Sequence, residues 1–322
     1  MKAMVYQRYG APDVLALRDV DVPVARDDEV LVRVRASSVN PYDWHFVTGR
    51  PYLVRTTSGL LRPKAMIPGA DLAGEVVAVG GKVSRFRPGG TVFGLGARAY
   101  AEYVTVRQDL LAPKPANLTF EQAAAVPLAG LTALQGLRAR GRLAAGQQVL
   151  VNGASGGVGT FAVQIAKAFG AEVTGVCRSR HVELIRSLGA DHVIDYTRAD
   201  FVQSGQRYDL ILDIAGNRSL ADRQRALSQT GTLVVIGGPK HNRWVGPMGD
   251  LLTVLVAGRF SRQRLVGMLT KTSQADLDTL RDLIEAGAVT PVVECTYPLL
   301  ELPQALQRVG EGHSSGKIVI AA

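Results

Sequence analysis

A glycine-rich turn between an apolar strand and a helix constrains the fold of this chain more than any other feature. Residues 149–159 read VLVNGASGGVG, and residues 160–166 continue as TFAVQIA, an apolar helical pattern. The glycines let the backbone turn sharply at the end of the strand and bring the helix start close to it. A strand, a glycine turn and a helix in this order are typical of the first crossover of an open parallel sheet.

The region around this turn alternates strands and helices. Apolar runs bounded by breakers predict strands at 147–153, 171–177, 192–196, 208–214 and 232–236, and helices at 157–169, at 180–188 and up to about 227. Crossovers of this kind are right-handed. The predicted fold is therefore α/β, a doubly wound parallel sheet covered by helices on both faces.

The segments on either side of this region have a β pattern. Strands such as 30–36 and 74–80 lie between Gly, Pro and Asp breakers, and a β pattern returns at 317–320. Residues 119–122 read TFEQ, a capping box that starts the helical region. The predicted domains are a β domain and an α/β domain inserted in it, at 1–118 with 289–322 and at 119–288.

Composition places the chain among folded globular proteins, with 47% hydrophobic and 20% charged residues in a length of 322. Its two cysteines, Cys177 and Cys295, can form neither a disulfide framework nor a four-thiolate zinc lobe, which favours the reducing cytoplasm. No export signal is visible. No apolar run approaches the roughly 20 residues that a bilayer requires, so we expect no membrane segment.

The net charge of +9 does not by itself indicate a nucleic-acid partner. The basic residues are scattered, in short groups such as Arg259, Arg262 and Arg264. Nucleic-acid-binding proteins gather such charge in patches or stripes. We therefore expect a small-molecule partner and a basic surface that attracts anions.

The glycine turn also has the chemistry of a phosphate-binding site. Amide groups at the start of the following helix point toward negative charge, and the missing Cβ atoms let a pyrophosphate approach the backbone. We assign Ser155, Gly156, Gly157 and Val158 to the binding of a dinucleotide. The alternative is a glycine turn that only packs the helix on the strand.

The end of the next strand indicates which dinucleotide binds. Residues 175–180 read GVCRSR, without the acid that holds the ribose hydroxyls of NAD, and Glu172 lies at the opposite end of the strand. Arg178 and Arg180, with Ser179 between them, offer charge-assisted bonds to a 2′-phosphate. NADPH is therefore the predicted coenzyme; the alternative is that the two arginines are solvated surface charges.

Matched segments along nearly the whole chain resemble the medium-chain dehydrogenase/reductases, specifically their zinc-independent quinone-oxidoreductase branch. Those segments are 1–3 with 28–32, 38–43, 68–76, 123–135, 152–159, 188–196 and 312–317. The resemblance implies a GroES-like β domain wrapped around an inserted Rossmann domain, in agreement with the order of elements above. It also implies a homodimer joined at an edge of the Rossmann sheet, at about 233–237 and the residues that follow.

The sequence departs from the zinc-dependent alcohol-dehydrogenase branch at the metal ligands. That branch has a Cys in the early loop and a Gly-His-Glu segment, where residues 40–43 read NPYD and residues 69–71 read GAD. The five histidines show no two-His spacing suited to one helical face. We therefore predict no metal site.

Without a metal ion to polarise a simple carbonyl, a conjugated acceptor is the favoured substrate. A quinone or enone takes up hydride at carbon and spreads the charge onto oxygen. We expect an oxidoreductase that transfers hydride from NADPH to a quinone, an enone or an aldehyde. The nicotinamide is expected between the domains near Thr132, Ala215 and residues 236–238, with Gly237 among its contacts.

The resemblance implies a further coenzyme contact near the C-terminus, at His313, Ser314 and Ser315, where a relative of this branch carries Arg at the Ser315 position. Lys317 either assists this contact or starts the last strand. Tyr196, at the end of its strand, is either a further contact to the 2′-phosphate or a core tyrosine.

The hydrogen-bond donor for the developing oxyanion is sought in and after the early loop that replaces the metal ligands. Asn40 and Tyr52 are the predicted catalytic residues, with Tyr42 and Asp43 as further candidates and solvent as the alternative proton source. The alternative for Asn40 and Asp43 is a local role in loop architecture. For Tyr52 it is a hydrophobic lid.

Two segments are long for simple connections. Residues 47–66 carry few strand signals, and we predict a loop that covers the substrate. Residues 240–264 mix apolar side chains with arginines, which is typical either of a mobile flap or dimer surface, or of a helix packed on the sheet.

Two other functions stay open. An NADPH-dependent alcohol dehydrogenase or carbonyl reductase would prefer a simple ketone. A non-catalytic NADPH-binding or RNA-binding relative would not oxidise NADPH.

Overall fold

The structure is a computed structural model that describes residues 1–64, 66–237, 244, 248–312 and 314–322. The chain forms two compact units. The first comprises Met1–Leu131, Thr272–Gly287 and Pro291–Ala322, and the second comprises Thr132–Lys271 and Ala288–Thr290.

The described residues contain strands and α-helices that are numbered in chain order. The strands are β1 Lys2–Val5, β2 Ala16–Asp19, β3 Glu29–Val39, β4 Asp71–Val79, β5 Thr91–Leu95, β6 Tyr103–Arg107, β7 Leu111–Pro113, β8 Gln148–Asn152, β9 Glu172–Cys177, β10 His192–Asp195, β11 Tyr208–Asp213, β12 Leu227–Val235, β13 Arg264–Gly267, β14 Val293–Pro298 and β15 Lys317–Ala321. The helices are α1 Pro41–Thr48, α2 Arg55–Ser58, α3 Phe120–Ala124, α4 Pro127–Leu134, α5 Gly157–Ala168, α6 Val182–Ser187, α7 Leu220–Arg225, α8 Met248–Ala257, α9 Gln274–Glu285 and α10 Leu302–Glu311.

Parallel strands form the sheet of the second unit, in the order β10-β9-β8-β11-β12-β13. Leu150, Ile211 and Leu233 on three neighbouring strands are fully buried, as expected for strands covered on both faces. The chain runs outward from β8 to β10 and then returns to β11 on the other side of β8. The carboxyl ends of β8 and β11 therefore mark the topological switch point, where ligands bind in such sheets. The predicted doubly wound parallel sheet is confirmed.

A mostly antiparallel sheet forms the first unit, in the order β14-β15-β3-β4-β5-β7, with β6 also paired to β3. The residues Val30, Val32 and Val34 alternate along β3 and pack into its buried core. Strand β15 lies antiparallel to β3, with Ile318 opposite Val39. The last strand of the chain thus joins the sheet that β3 begins, and the predicted class of an α/β sheet within a β domain is confirmed.

The compact units divide the chain at other places than the predicted boundaries of 118/119 and 288/289. Helix α3 packs on β3 and β4, and α9 packs on β7, so both helices belong to the first unit. Gln274, at the start of α9, donates from Nε2 to the carbonyl oxygens of Gln108 and Leu111. The sequence pattern located these helices but not the sheet that each one covers.

The sheet edge was expected at about 233–237 and the residues that follow, and the expectation is wrong for 233–237 themselves. Residues Leu233–Val235 belong to β12, which lies between β11 and β13, and β13 is the edge strand among the described residues. Helix α8 packs on β13 with Val254 buried, which fits the helix interpretation of part of the segment 240–264. Residues 238–243 and 245–247, which include the start of that segment, lie outside the described residues.

Within the described ranges, no helix is both long and apolar enough to cross a bilayer.

Candidate functional site

The glycine turn lies at the carboxyl end of β8 and runs directly into α5. Gly153 has a φ of +93°, a left-handed conformation that glycine adopts without strain. A Cβ atom at Gly159 would lie 2.2 Å from the carbonyl oxygen of Gly153. Glycine at position 159 therefore allows the first turn of α5 to approach the loop this closely.

The start of α5 has hydrogen-bonding capacity for an anion. Gly156 is the N-cap and supplies no side-chain bond, so amide groups in the first turn, such as those of Gly157 and Val158, have no intrahelical acceptor. A Cβ atom at Gly156 would meet nothing closer than the Gly153 carbonyl oxygen, at 3.6 Å. Ser155, Gly156, Gly157 and Val158 are half-buried at this opening. These residues fit the pyrophosphate of a dinucleotide, which the helix dipole also favours.

A buried ionic network, which the sequence analysis missed, supports the loop beside this cradle. Asp213, at the end of β11, accepts hydrogen bonds from Asn152 Nδ2 at 2.7 Å and from Arg223 Nη1 at 2.7 Å. Arg223 also donates two hydrogen bonds to Asp250 of α8, at 2.8 and 2.9 Å. Asp213 and Arg223 are almost fully buried. The network joins the carboxyl ends of β8 and β11 to α7 and α8, and an Asp closing an apolar strand was its signal in the sequence.

The residues expected near the nicotinamide occupy two environments. The Ala215 amide donates to the Asn152 carbonyl at the end of β8, and a Cβ atom at Gly237 would lie 2.1 Å from the Ile214 carbonyl oxygen. The structure therefore gathers Ala215 and Gly237 at the carboxyl end of the sheet. Thr132 is buried on α4, with its hydroxyl 2.6 Å from that of Thr270.

The predicted 2′-phosphate residues lie together at the carboxyl ends of β9 and β10. Arg178, Ser179 and Arg180 follow β9 and are exposed. Tyr196 follows β10, its amide donates to the Cys177 carbonyl at 3.0 Å, and 46% of its surface is exposed. Tyr196 is therefore not a core tyrosine. We call this group of residues, 178–180 with 195–198, the adenosine rim.

The end of β9 carries no acid, as its sequence shows, but the neighbouring strand β10 supplies one. Asp195, the last residue of β10, accepts a hydrogen bond from Ser179 Oγ at 2.6 Å. The parallel register places Asp195 beside Cys177 at the end of β9. The acid was missed because it comes from the neighbouring strand, and a search limited to the end of β9 does not include it.

Lys317 begins β15 and is buried in the first unit, with 4% of its surface exposed. Its Nζ donates to Asn40 Oδ1 at 2.5 Å, to Asp71 Oδ2 at 3.2 Å and to the Val39 carbonyl at 3.4 Å. Of the two interpretations of Lys317, the structure fits the start of the last strand. Its ammonium is committed to these oxygens and is not presented at a surface for a coenzyme phosphate.

Asn40 is the N-cap of α1, a helix that stands where the sequence predicts a loop. Its amide hydrogens go to Asp71 Oδ2 at 2.9 Å and to the Ser38 carbonyl at 3.4 Å, while Oδ1 accepts from Lys317. Both amide hydrogens of Asn40 are therefore used within the protein, which fits the architectural alternative and not the predicted oxyanion donor. Pro at the first helical position and Asp at the third were the available helix signals.

Asp43 is buried beside this cluster. Its Oδ2 accepts from the backbone amide of Asn40 at 2.9 Å and from Tyr100 Oη at 3.0 Å. Its Oδ1 has no hydrogen-bond partner. Burial raises the pKa of the Asp43 carboxyl to about 7. Burial also raises the pKa of Tyr100 well above its usual value, so Tyr100 remains a neutral donor.

The segment 47–66 has short helices in its first half, up to Ser58, and neither helix nor strand at the described residues 59–64 and 66; Ala65 lies outside the described residues. It contains the end of α1, a 3₁₀ turn at Tyr52–Val54 and α2. The guanidinium of Arg55 lies 4.6 Å from the centre of the Tyr9 ring and 5.0 Å from that of Tyr52. Tyr9 Oη donates to the Gly59 carbonyl at 2.6 Å. Stacking and hydrogen bonds thus anchor the segment that carries Tyr52.

The C-terminal coenzyme contact is described only in part. Ser314 and Ser315 are half-buried in the first unit, and the Ser315 amide donates to Glu294 Oε2 at 3.0 Å. His313 and Gly238 lie outside the described residues. Among the residues that are described, no group of three or more His, Cys, Asp or Glu side chains is placed to hold a metal ion.

Comparison with known proteins matches both units of the chain. Residues 26–116 match the family model of the alcohol dehydrogenase GroES-like domain, and residues 188–320 match that of the zinc-binding dehydrogenases. A chloroplast envelope quinone oxidoreductase homolog of Arabidopsis thaliana is 33% identical over 337 residues, covering 99% of this chain and 98% of the relative.

Two further similarities cover nearly all of the chain. An NADPH-dependent alkenal/one oxidoreductase of Arabidopsis thaliana chloroplasts is 34% identical over 337 residues, covering 99% of this chain and 79% of the relative. The solved structure of the quinone oxidoreductase from Coxiella burnetii superposes with a TM-score of 0.88 at 30% identity, covering 100% of this chain and 99% of the other.

The chain belongs to the medium-chain dehydrogenase/reductase superfamily, a class of oxidoreductases built from these two kinds of unit. Within that superfamily it is a quinone-oxidoreductase-like protein, and the family predicted from the sequence is confirmed.

Proposed function

We propose that this protein reduces quinones or α,β-unsaturated carbonyl compounds with NADPH. The observation that carries the proposal is an open cradle of amide groups at the start of α5, with Arg178 and Arg180 exposed on the same sheet edge. Relatives named for quinone and alkenal/one reduction support the same substrate class.

The bound coenzyme supplies the hydride, and the protein binds and orients it. The first-turn amides of α5 would hold the pyrophosphate, since they have no intrahelical acceptors. Arg178 and Arg180 would hold the 2′-phosphate, because guanidinium groups offer paired, charge-assisted donors.

We propose that the reaction proceeds without zinc. Asn40 and Asp71, which lie in the segments that replace the metal ligands, direct oxygen atoms at the Lys317 ammonium. A buried ammonium already occupies the centre of these donors, so they are not arranged to receive a second cation. We expect activity to survive dialysis against a chelator and no gain on adding zinc; loss that zinc restores would contradict this.

Tyr52 is the proposed hydrogen-bond donor to the substrate oxygen, since both Asn40 amide hydrogens are used within the protein. Arg55 orients the Tyr52 ring by stacking on it. Tyr52→Phe should lower the turnover number and leave coenzyme affinity unchanged. An unchanged turnover number would leave proton delivery to solvent.

The substrate class is tested by following NADPH oxidation with benzoquinone, with an enone such as pentenone, and with pentanone as its saturated counterpart. A conjugated acceptor spreads the developing charge, so the first two should react at least about tenfold faster than pentanone in kcat/KM. A preference for pentanone would instead indicate a carbonyl reductase. No NADPH oxidation with any acceptor would indicate a non-catalytic relative.

The coenzyme is tested by replacing Arg178 and Arg180 with Ala together. Removing both guanidinium groups should raise the KM for NADPH about tenfold or more and change that for NADH little, because only NADPH carries the 2′-phosphate. Arg18→Ala with Arg87→Ala removes the same charge from exposed positions in the first unit and serves as the matched control. Equal effects on the two coenzymes would contradict the assignment.

We also propose a reducing compartment such as the cytoplasm, because the thiols of Cys177 and Cys295 are unpaired.

We further propose a homodimer that forms at β13. The edge strand β13 and the exposed residues Leu252 and Leu255 of α8 support it. Light scattering of the wild-type protein should give a molar mass of twice that of one chain. The Leu255→Lys variant should give the mass of a single chain. A wild-type monomer would contradict the dimer.

A further inference from the structure

Asp195 holds the hydroxyl hydrogens of two neighbouring residues at the adenosine rim. Ser179 Oγ donates to Asp195 Oδ2 at 2.6 Å, and Thr197 Oγ1 donates to Asp195 Oδ1 at 2.7 Å. The Thr197 amide donates to Oδ1 as well, at 3.0 Å. The carboxylate therefore organises residues from the ends of two neighbouring strands, β9 and β10.

These bonds determine what the hydroxyls can offer a ligand. A serine or threonine hydroxyl has one hydrogen, so a hydroxyl that donates to Asp195 keeps only its lone pairs. Lone pairs can accept a hydrogen bond from a ribose 2′-hydroxyl, but they offer nothing to a phosphate, which carries only acceptors near neutral pH. In this arrangement Ser179 and Thr197 match the unphosphorylated ribose.

The charges at the rim act in opposite directions. Arg178, Arg180 and Arg198 are exposed cations, and Arg198 Nε lies 3.6 Å from Asp195 Oδ2. The Ser179 hydrogen bond lowers the pKa of the Asp195 carboxyl, so it is ionised at neutral pH. A 2′-phosphate at this rim is therefore attracted by the guanidinium groups and repelled by one carboxylate.

We propose that Asp195 is a specificity-determining residue that limits the preference for the phosphorylated coenzyme and keeps the rim competent for both NADPH and NADH. The inference rests on the proposed function, because it assumes that the adenosine half of the coenzyme lies at this rim. Neutralising Asp195 removes a repulsive charge and takes away one of the two carboxylate oxygens that accept the hydrogens of Ser179 and Thr197, so these hydrogens are held less firmly and can turn to the phosphate. The preference for NADPH should then increase.

The test uses ligands that contain only the adenosine half, AMP and adenosine 2′,5′-bisphosphate, with the full-length protein. Dissociation constants measured by calorimetry give the ratio Kd(AMP)/Kd(bisphosphate), which does not depend on any hydride acceptor. Asp195→Asn and Asp195→Ser both remove the charge, and Asp195→Glu retains it. Asp282→Asn removes one exposed negative charge from the first unit and is the matched control.

The ratio should rise about fivefold to tenfold in both neutral variants. It should stay within about twofold of wild type in Asp195→Glu and Asp282→Asn. Two neutral variants are used because one of them could fold poorly, which a lowered melting temperature would show. The Kd ratio of the other variant then tests the inference.

An unchanged ratio in a folded neutral variant would overturn the inference, and so would an equal rise in Asp195→Glu, because charge would then not be the cause. Failure of the proposed function looks different. In that case the wild-type protein binds neither ligand at this rim, or oxidises no NADPH with any acceptor.

Discussion

At the scale of single residues, the first unit buries polar groups whose protonation is coupled to folding. Asp43 accepts two hydrogen bonds through Oδ2 and none through Oδ1, and 1% of its surface is exposed. A carboxylate oxygen without a partner in such a place destabilises the ionised form. The folded protein therefore binds the Asp43 proton more tightly than the unfolded chain does.

The consequence is a pH-dependent stability. The pKa of Asp43 is raised to about 7 in the folded protein, from 3.8 for a carboxyl group in water. Its contribution is fully present below the lower value and is lost as the pH rises through the folded value. The free energy of unfolding of wild type, minus that of Asp43→Asn, should fall by about 2 to 4 kcal/mol between about pH 4 and pH 8.

Urea unfolding of both proteins across this range measures the difference directly. Because each point compares two proteins at one pH, titration of all other carboxyl groups cancels if the substitution does not disturb them. A constant difference would mean that Asp43 titrates normally in the folded protein. A difference that grows with pH would place its folded pKa below that of the unfolded chain.

At the scale of elements, local sequence signals located β8, the glycine turn and α5 within about one residue. Predicted strand 147–153 and helix 157–169 correspond to Gln148–Asn152 and Gly157–Ala168. Apolar runs and glycines act within a few residues of each other, so the sequence carries that information. Helix α1 was not predicted, because the family resemblance implies a loop at its residues. That expectation outweighed the local helix signals of Pro41 and Asp43.

Site residues that depend on strand register were harder to predict. Asp195 contributes to the adenosine rim from β10, and only pairing with Cys177 brings it beside Ser179. The same limit applies to Asp213 and Arg223, which meet only after β11 and α7 have packed. The glycine turn and the arginines of the adenosine rim could therefore be predicted from the sequence. Asp195 and Asp213, which lie beside them only in the folded chain, could not.

Two substitutions in the turn should separate folding from coenzyme binding. At Gly159 a Cβ atom would lie 2.2 Å from backbone that cannot move aside, so Gly159→Ala should lower the free energy of unfolding by about 1 to 3 kcal/mol and weaken NADPH binding. At Gly156 the nearest protein atom is 3.6 Å away and φ is −79°, which alanine adopts readily. Gly156→Ala should leave stability within about 0.5 kcal/mol of wild type and still weaken NADPH binding about tenfold.

Fluorescence titration with NADPH and urea unfolding, both on the same samples, give the two quantities. Gly81→Ala changes a glycine with no atom within 4 Å of its added Cβ and should alter neither quantity. If Gly156→Ala bound NADPH as tightly as wild type, the pyrophosphate would not approach the backbone at this position, and the assignment of the cradle would be wrong.

At the scale of the whole molecule, the polar cluster of the first unit joins parts of the chain that are far apart in sequence. Lys317 lies 277 residues from Asn40 and 246 from Asp71, and its ammonium contacts both. Asp71 also accepts from Ser38 Oγ at 2.6 Å and from the Leu128 amide at 2.8 Å. The cluster therefore connects β15 to β3, β4, α1 and α4. Composition and spacing could not predict it, because each residue alone resembles an ordinary surface or loop residue.

Breaking this cluster should cost far more than breaking an exposed ion pair. Lys317→Met leaves the buried Asp71 carboxylate without its cation, and the free energy of unfolding should fall by about 3 to 5 kcal/mol. Adding Asp71→Asn removes the stranded charge and keeps a side chain that can bond to Ser38 and the Leu128 amide. The double variant should therefore be more stable than Lys317→Met alone, a sign of coupling that independent sites do not show.

The exposed pair Lys167–Asp191, with an Nζ–Oδ2 distance of 2.8 Å, provides the comparison. Both side chains are about one-third exposed, so Lys167→Met should cost about 1 kcal/mol or less, and Asp191→Asn should not restore it. If Lys317→Met proved as mild as Lys167→Met, the buried ammonium would not be holding β15 to the segments that carry Asn40 and Asp71. The proposal that it occupies the place of a metal ion would then lose its support, because a weakly held ammonium would leave Asn40 and Asp71 free to bind another cation.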